Sequence, residues 1–161
     1  MKETTYKQLT GSEKELLEQA KLAGDNFFNK KGTRHVGAAL LCNDGKIYLG
    51  SSIRRTNVSN STCAERMALD KAIFDKNYDY EMIAVIGFFD GKMENEIISP
   101  CGLCRQILSE AENYSGERRK IKLLLANEDF SKIIKTDSQE IFPISYQAKS
   151  YEKPNNLQPN H

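Results

Sequence analysis

The chain has 161 residues, 39% of them hydrophobic and 28% charged, which suits one globular domain with its own core and excludes a disordered chain. Its 23 basic and 22 acidic residues leave a formal net charge of +1. That balance makes no electrostatic case for nucleic acid or an anionic membrane as partner, so a small-molecule substrate is expected. No stretch has the apolar length of a membrane span and residues 1–10 are polar, so a cytoplasmic protein is expected, with no nucleic-acid or membrane partner.

In such a reducing compartment the four cysteines point to metal or catalytic roles rather than disulfides. The glycosylation-like triplets at Asn57, Asn60 and Asn113 are then chance matches.

In chain order, the spacing predicts a helix over 12–29, with Ser12 and Glu15 as a capping-box pair and Leu16, Ala20, Ala23 and Phe27 on one face. Gly32 ends it. Apolar runs at 36–41 and 47–50, with Asn43-Asp44-Gly45 between them, predict a hairpin. Residues 51–62 are polar and without period, which reads as loop. A second helix is expected over 63–75, burying Met67, Ala68, Ala72 and Ile73. Residues 82–89 read as a buried strand, and 90–99 return through an exposed turn at Asp90-Gly91.

A third helix is expected over 102–113 with Leu103, Ile107, Leu108 and Ala111 inward, then a strand over 121–126 and a short helix over 138–142 stopped by Pro143. The end of the chain, 150–161, with Pro154 and Pro159, is expected to be disordered. Strands alternating with helices imply an α/β domain over 1–149.

The chemistry sits in two short clusters, Cys63-Ala64-Glu65-Arg66 and Pro100-Cys101-Gly102-Leu103-Cys104. Each opens a predicted helix, where backbone N–H groups and the helix dipole lower a thiol's pKa. Two such ends facing each other bring three thiolates, Cys63, Cys101 and Cys104, to one point. Three protein ligands with a fourth position left for water is the pattern of a catalytic zinc site. Cys42 lies beside the hairpin turn, away from both clusters, and reads as an apolar filler of the sheet. His35 reads as a structural histidine, and His161 is in the tail. Three thiolates on Zn²⁺ leave a net charge of −1, which Arg66 and Arg105 are placed to offset.

These clusters resemble the short, all-cysteine members of the cytidine deaminase superfamily, together with Val36-Gly37-Ala38-Ala39-Leu40, Arg105-Gln106 and Ile141-Phe142-Pro143. The resemblance covers roughly the first 145 residues. It implies a three-layer α/β/α cytidine deaminase-like fold, a mixed sheet with helices on both faces. It also implies zinc as cofactor and hydrolytic deamination of a nucleoside-like amino-heterocycle: cytidine, deoxycytidine, or a modified or anionic analogue. Glu65 is implied to take a proton from the attacking water and pass it to the ring nitrogen and the departing ammonia. The backbones of Ala64 and Cys101 are implied to hold the amino group and the attacking oxygen, and Arg66 to hydrogen-bond the thiolates. A homo-oligomer, tetramer or dimer, is implied as well.

The chain departs from that family at the specificity positions. Where nucleoside-binding members carry an Asn-x-Glu element for the ribose hydroxyls, this chain has Ser52-Ile53-Arg54, followed by Arg55. Where they carry an aromatic-proline pair it has Arg34-His35, and Tyr146 stands where related sequences often place a phenylalanine that reaches a neighbouring subunit. Arg34, Ser52 and Arg54 are therefore the expected substrate contacts, and the arginines suit a phosphate or carboxylate better than a neutral ribose. The competing reading is a catalytically silent zinc domain that binds a ligand or protein partner. Glu65 argues against it, because a binding module has no need of a carboxyl beside an open metal.

Overall fold

The computed structural model describes residues 1–28, 34–89, 96–114 and 119–146. Helix α1 runs over Gly11–Asp25, the hairpin is β2 (His35–Cys42) and β3 (Ile47–Ser51), and α2 spans Ala64–Phe74. Strand β4 (Tyr80–Phe88), helix α3 (Gly102–Ala111) and strand β5 (Lys122–Asn127) follow, then α4 (Ser138–Ile141). The strand segments β1 (Lys2–Thr4) and β6 (Ile133–Asp137) complete the sheet.

The six strands lie in the order β1-β6-β5-β4-β2-β3. Strands β4 and β5 are parallel, joined by a crossover that contains α3, and the other pairs are antiparallel. The sheet is mixed, as expected.

Side-chain alternation along the strands divides the core in two. Ala39, Ala84, Ile86 and Leu124 pack against Leu16, Leu17 and Ala20 of α1 on one face. Ala38, Leu40, Val85, Ile83 and Leu125 pack against Ala68, Leu69 and Ala72 of α2 and Leu108 of α3 on the other. Helices therefore cover both faces, giving the three α/β/α layers that the sequence led us to expect. Because α2 and α3 share one face, their N-terminal ends can meet at one edge of it.

Several local expectations are corrected. The capping box of α1 is Thr10 with Glu13 rather than Ser12 with Glu15: Glu13 N donates to Thr10 Oγ1 and Thr10 N donates to Glu13 Oε2. The helix ends at Asp25, before the expected 29, and Phe27 stacks instead on His35 at 4.0 Å. In α2 the fully buried apolar positions are Ala64, Ala68, Leu69 and Ala72, so the stripe is rotated away from Met67 and Ile73. Leu103, expected inward, is 54% exposed, since the inward position in the first turn of α3 belongs to Cys104. Strands β1 and β6 lie in stretches with no strand expectation. The expected breaks at Gly32 and Asp90-Gly91, and the tail from 150, lie outside the described residues.

Candidate active site

Cys63 is the N-cap of α2 and Cys101 the N-cap of α3, both with extended backbone, and neither thiol caps its helix. Each side chain is thus left to point off the helix end. Cys104 lies in the first turn of α3 and is buried. The three Sγ atoms lie within 4.8 Å of one another, and Cys63 Sγ is 3.7 Å from Cys101 Sγ. Tetrahedral zinc with Zn–S bonds of about 2.3 Å sets its sulfurs about 3.8 Å apart, so the donor set and its spacing fit the metal.

The protonation pattern fits too. Cys63 is pulled below the ordinary thiol range, first by the hydrogen bond from Cys104, then by that from Cys101 and the Arg66 charge, against its partial burial. Cys104 is pushed far up, because it is the donor to Cys63 and is itself buried. Two adjacent thiols cannot both ionise without a cation between them, and a divalent metal releases both protons.

Glu65, two residues after Cys63, is only 4% exposed. Burial is the main cause that pushes its carboxyl up to about 7, and the charge of Cys63 adds to it. A cleft of about 340 Å³ opens beside it, lined among others by Cys63, Ala64, Glu65 and Cys101. Arg34, Ser52 and Arg54 line the same cleft, so the structure brings the expected substrate contacts and the thiol cluster to one space. Arg55 is not among its lining residues; its backbone N donates to Ser61 Oγ.

Two arginine roles differ from expectation. The bonds of Arg66 go from Nη2 to Ser61 O at 2.8 Å and to Thr62 Oγ1 at 3.4 Å, so it reaches Cys63 by charge while bracing the preceding loop. Arg105 donates to Pro100 O, Ser99 Oγ and Ile141 O, and so ties the loop before α3 to α4. That brace adds a structural role to the charge expected of Arg105. His35 is sandwiched between Phe27 and Phe88, at 4.0 and 4.7 Å, and is structural. Cys42 is buried in the sheet, where desolvation pushes its thiol up to about 12.

Sequence reasoning missed Ser61, Thr62 and Ser99 as lining residues. The available signal was slight. Thr62 pairs back to Ile53 in an isolated bridge that closes the 53–62 loop at the edge of the cleft, and Ser99 directly precedes Pro100-Cys101.

Three thiols converging beside an open cleft, with a buried carboxyl next to them, are a donor set that suits an open zinc centre of the hydrolytic class better than a closed four-ligand site. Comparison with known proteins agrees. Residues 10–115 match the family described as the cytidine and deoxycytidylate deaminase zinc-binding region. A cytidine deaminase from Sporosarcina psychrophila is 37% identical over 62% of this chain and 70% of its own length. A blasticidin-S deaminase from Bacillus cereus is 27% identical over 70% of this chain and 76% of its own. A crystal structure of cytidine deaminase from Burkholderia pseudomallei superposes with a TM-score of 0.69 at 27% identity, covering 86% of this chain and 100% of that one. The chain belongs to the cytidine deaminase superfamily and is a zinc-dependent hydrolytic deaminase.

Proposed function

We propose that the chain deaminates a cytosine nucleoside or a close analogue, with Cys63, Cys101 and Cys104 holding zinc and Glu65 moving the protons. One observation carries this reading: Glu65 is buried two residues after Cys63 and lines the same cleft as two of the three clustered thiols. Similarity to cytidine and blasticidin-S deaminases supports the substrate class. Zinc bound there supplies the Lewis acidity that turns water into a nucleophile near neutral pH.

The remaining work belongs to the chain. Glu65 takes one proton from the attacking water and gives it to the ring nitrogen next to the amine-bearing carbon. The second proton of that water follows the same carboxyl to the amino group, which leaves as ammonia while the carbonyl forms. The backbones of Ala64 and Cys101, at the starts of α2 and α3, orient the amino group and the incoming oxygen. Arg66 offsets the negative charge of the thiolates through Cys63.

The same reading places the enzyme in the cytosol as a homo-oligomer, tetramer or dimer. All four cysteines are free thiols, and no helix among the described residues is long and apolar enough to cross a membrane. Ile144 and Tyr146, 90% and 74% exposed, offer apolar surface suited to a second copy.

The test is ammonia release by the zinc-loaded chain from a panel of cytosine nucleosides and nucleotides, a blasticidin-type nucleoside, and aminated purines and pterins. Turnover of a cytosine compound, lost in Glu65→Ala, is the expected result. Turnover of purines or pterins alone would replace the substrate class, and silence with zinc bound would favour a binding module.

A further inference from the structure

Arg105 joins the cysteine-bearing end of α3 to two other stretches of chain. Its half-buried side chain donates from Nε to Pro100 O at 2.8 Å, from Nη2 to Ser99 Oγ, and from Nη1 to Ile141 O at 3.2 Å. The next residues along α3 hold the stretch beyond Ile141. Gln106 brackets the Tyr146 backbone, donating to its O at 2.8 Å and accepting from its N at 3.0 Å, and Ser109 Oγ lies 2.7 Å from Ser145 Oγ. The guanidinium is thus fixed from both sides, by the 99–100 loop and by a segment that is itself tied to the helix.

The bond to Pro100 O has a consequence one residue on. A trans peptide is a rigid plane, in which the carbonyl of one residue and the N–H of the next point in opposite directions. Holding the buried Pro100 carbonyl therefore sets the direction of the Cys101 N–H. Cys101 lines the cleft with Glu65 and Ser99. The Ser99 hydroxyl, which accepts from the same fork, donates to Pro100 O at 3.3 Å and so braces the same plane. A point charge would not need this arrangement. Three acceptors in fixed directions call for a planar fork with several donors, which arginine has and lysine lacks.

We propose that Arg105 is a positioning residue that, through the Pro100–Cys101 peptide, aims the Cys101 N–H into the cleft. It touches neither substrate nor metal. The role rests on the deaminase reading above, which gives the Cys101 backbone the task of orienting the reacting groups, and it adds the residue that fixes this backbone. Zinc retention stays with the thiols, because Cys104 lies on α3 itself and Cys101 caps it.

The test compares wild type, Arg105→Lys and Arg105→Gln as zinc-loaded full chains. Ammonia release from cytosine compounds gives kcat and KM, and zinc content is measured on the same samples. Residual dipolar couplings of the ¹⁵N-cysteine amides read the directions of the N–H bonds. A donor aimed at charge that develops in the transition state acts on kcat more than on KM. Both variants are therefore expected to lose about 10–100-fold in kcat, with KM within about threefold and zinc content unchanged. The Cys101 coupling should change in both, while that of Cys42, in the sheet, stays as in wild type.

Arg105→Lys keeps the charge and loses the fork, so a wild-type kcat in that variant overturns the proposal and leaves charge as the role of Arg105. It also carries the test if Arg105→Gln does not fold. A fall in kcat that follows lost zinc, or an unchanged Cys101 coupling, overturns the proposal and leaves the deaminase reading standing. Silence of the wild type toward every cytosine compound strikes the deaminase reading first. The couplings then decide the positioning separately, and a Cys101 value unchanged in the variants overturns it as well.

Discussion

Two of the buried carboxyls, Glu65 and Glu13, serve opposite ends. Glu65 lies beside thiols and is held toward its protonated form by desolvation, a poise that suits a group passing protons in both directions near neutral pH. Glu13 lies at the start of α1 and keeps its charge. Burial alone would raise it, but Lys135 Nζ, at 2.6 Å, and the Thr10 backbone and side chain outweigh that and hold it below the ordinary glutamate range. A carboxyl depressed in the folded state stabilises the fold fully above its unfolded pKa, and that contribution fades as pH falls through the folded value. Glu13→Gln is therefore expected to cost about 1–2 kcal/mol at pH 7. The difference from the parent should shrink steadily below about pH 4.5. Urea unfolding at pH 7 and at stepped acid pH checks both statements.

At this scale the convergence of the three cysteines beside Glu65 was legible, because their types and spacing have few other uses. Arg66 and Arg105 were legible only as charges. Nothing in the sequence tells that their hydrogens go to Ser61, Pro100 and Ile141, since those partners are carbonyl oxygens that any residue carries.

The elements explain why the thiols meet. Helix α2 presses so closely on β3 that a Cβ at Gly50 would overlap the Ala64 carbonyl oxygen and lie 2.8 Å from Ala68 N. Gly50 is therefore what lets the Cys63 end of α2 settle on the sheet edge. Gly50→Ala is expected to lift that helix start, with about 1–3 kcal/mol of lost stability and faster loss of zinc to a chelator. A thermal melt and a chromophoric chelation assay read the two effects.

At the other face, Thr10 caps α1 at some distance from the cleft. Thr10→Ala should cost about 1 kcal/mol in a denaturant titration with zinc retention unchanged. The contrast separates damage to the fold from damage to the site.

The periodic helices and the Asp-Gly hairpin were readable from sequence because amphipathic spacing and turn chemistry are local. Strand β6 was not, because its five residues show one buried position at each of only two places, Ile133 and Thr136. The turn before it depends on the Asn127 side chain accepting from Lys132 N and donating to Ser131 Oγ. Strand β1, three residues paired only to β6, could not be seen without it. The stripe of α2 was misplaced because Glu65 takes a buried position that a hydrophobic pattern assigns to an apolar residue.

For the whole molecule, the three-layer frame sets two helix N-termini on one face of a mixed sheet, and Ile144 and Tyr146 are exposed beyond α4. Gln106 holds the 145–146 backbone by two bonds, from Nε2 to Tyr146 O and from Tyr146 N to Oε1, so the Tyr146 ring is presented from a fixed point. Light scattering in solution is expected to report a multiple of the monomer mass. Ile144→Asp with Tyr146→Asp should shift it downward, and a wild-type monomer would remove the homo-oligomer from the account.

The most direct test of the central claim is zinc content and ammonia release measured on the same samples of wild type, Cys104→Ser and Glu65→Gln, with cytidine and its monophosphate as substrates. The account predicts one zinc per chain with turnover in wild type, and zinc without turnover in Glu65→Gln. In Cys104→Ser it predicts loss of both. Turnover that survives in Glu65→Gln, or in a Cys104→Ser protein that has lost its zinc, would contradict it.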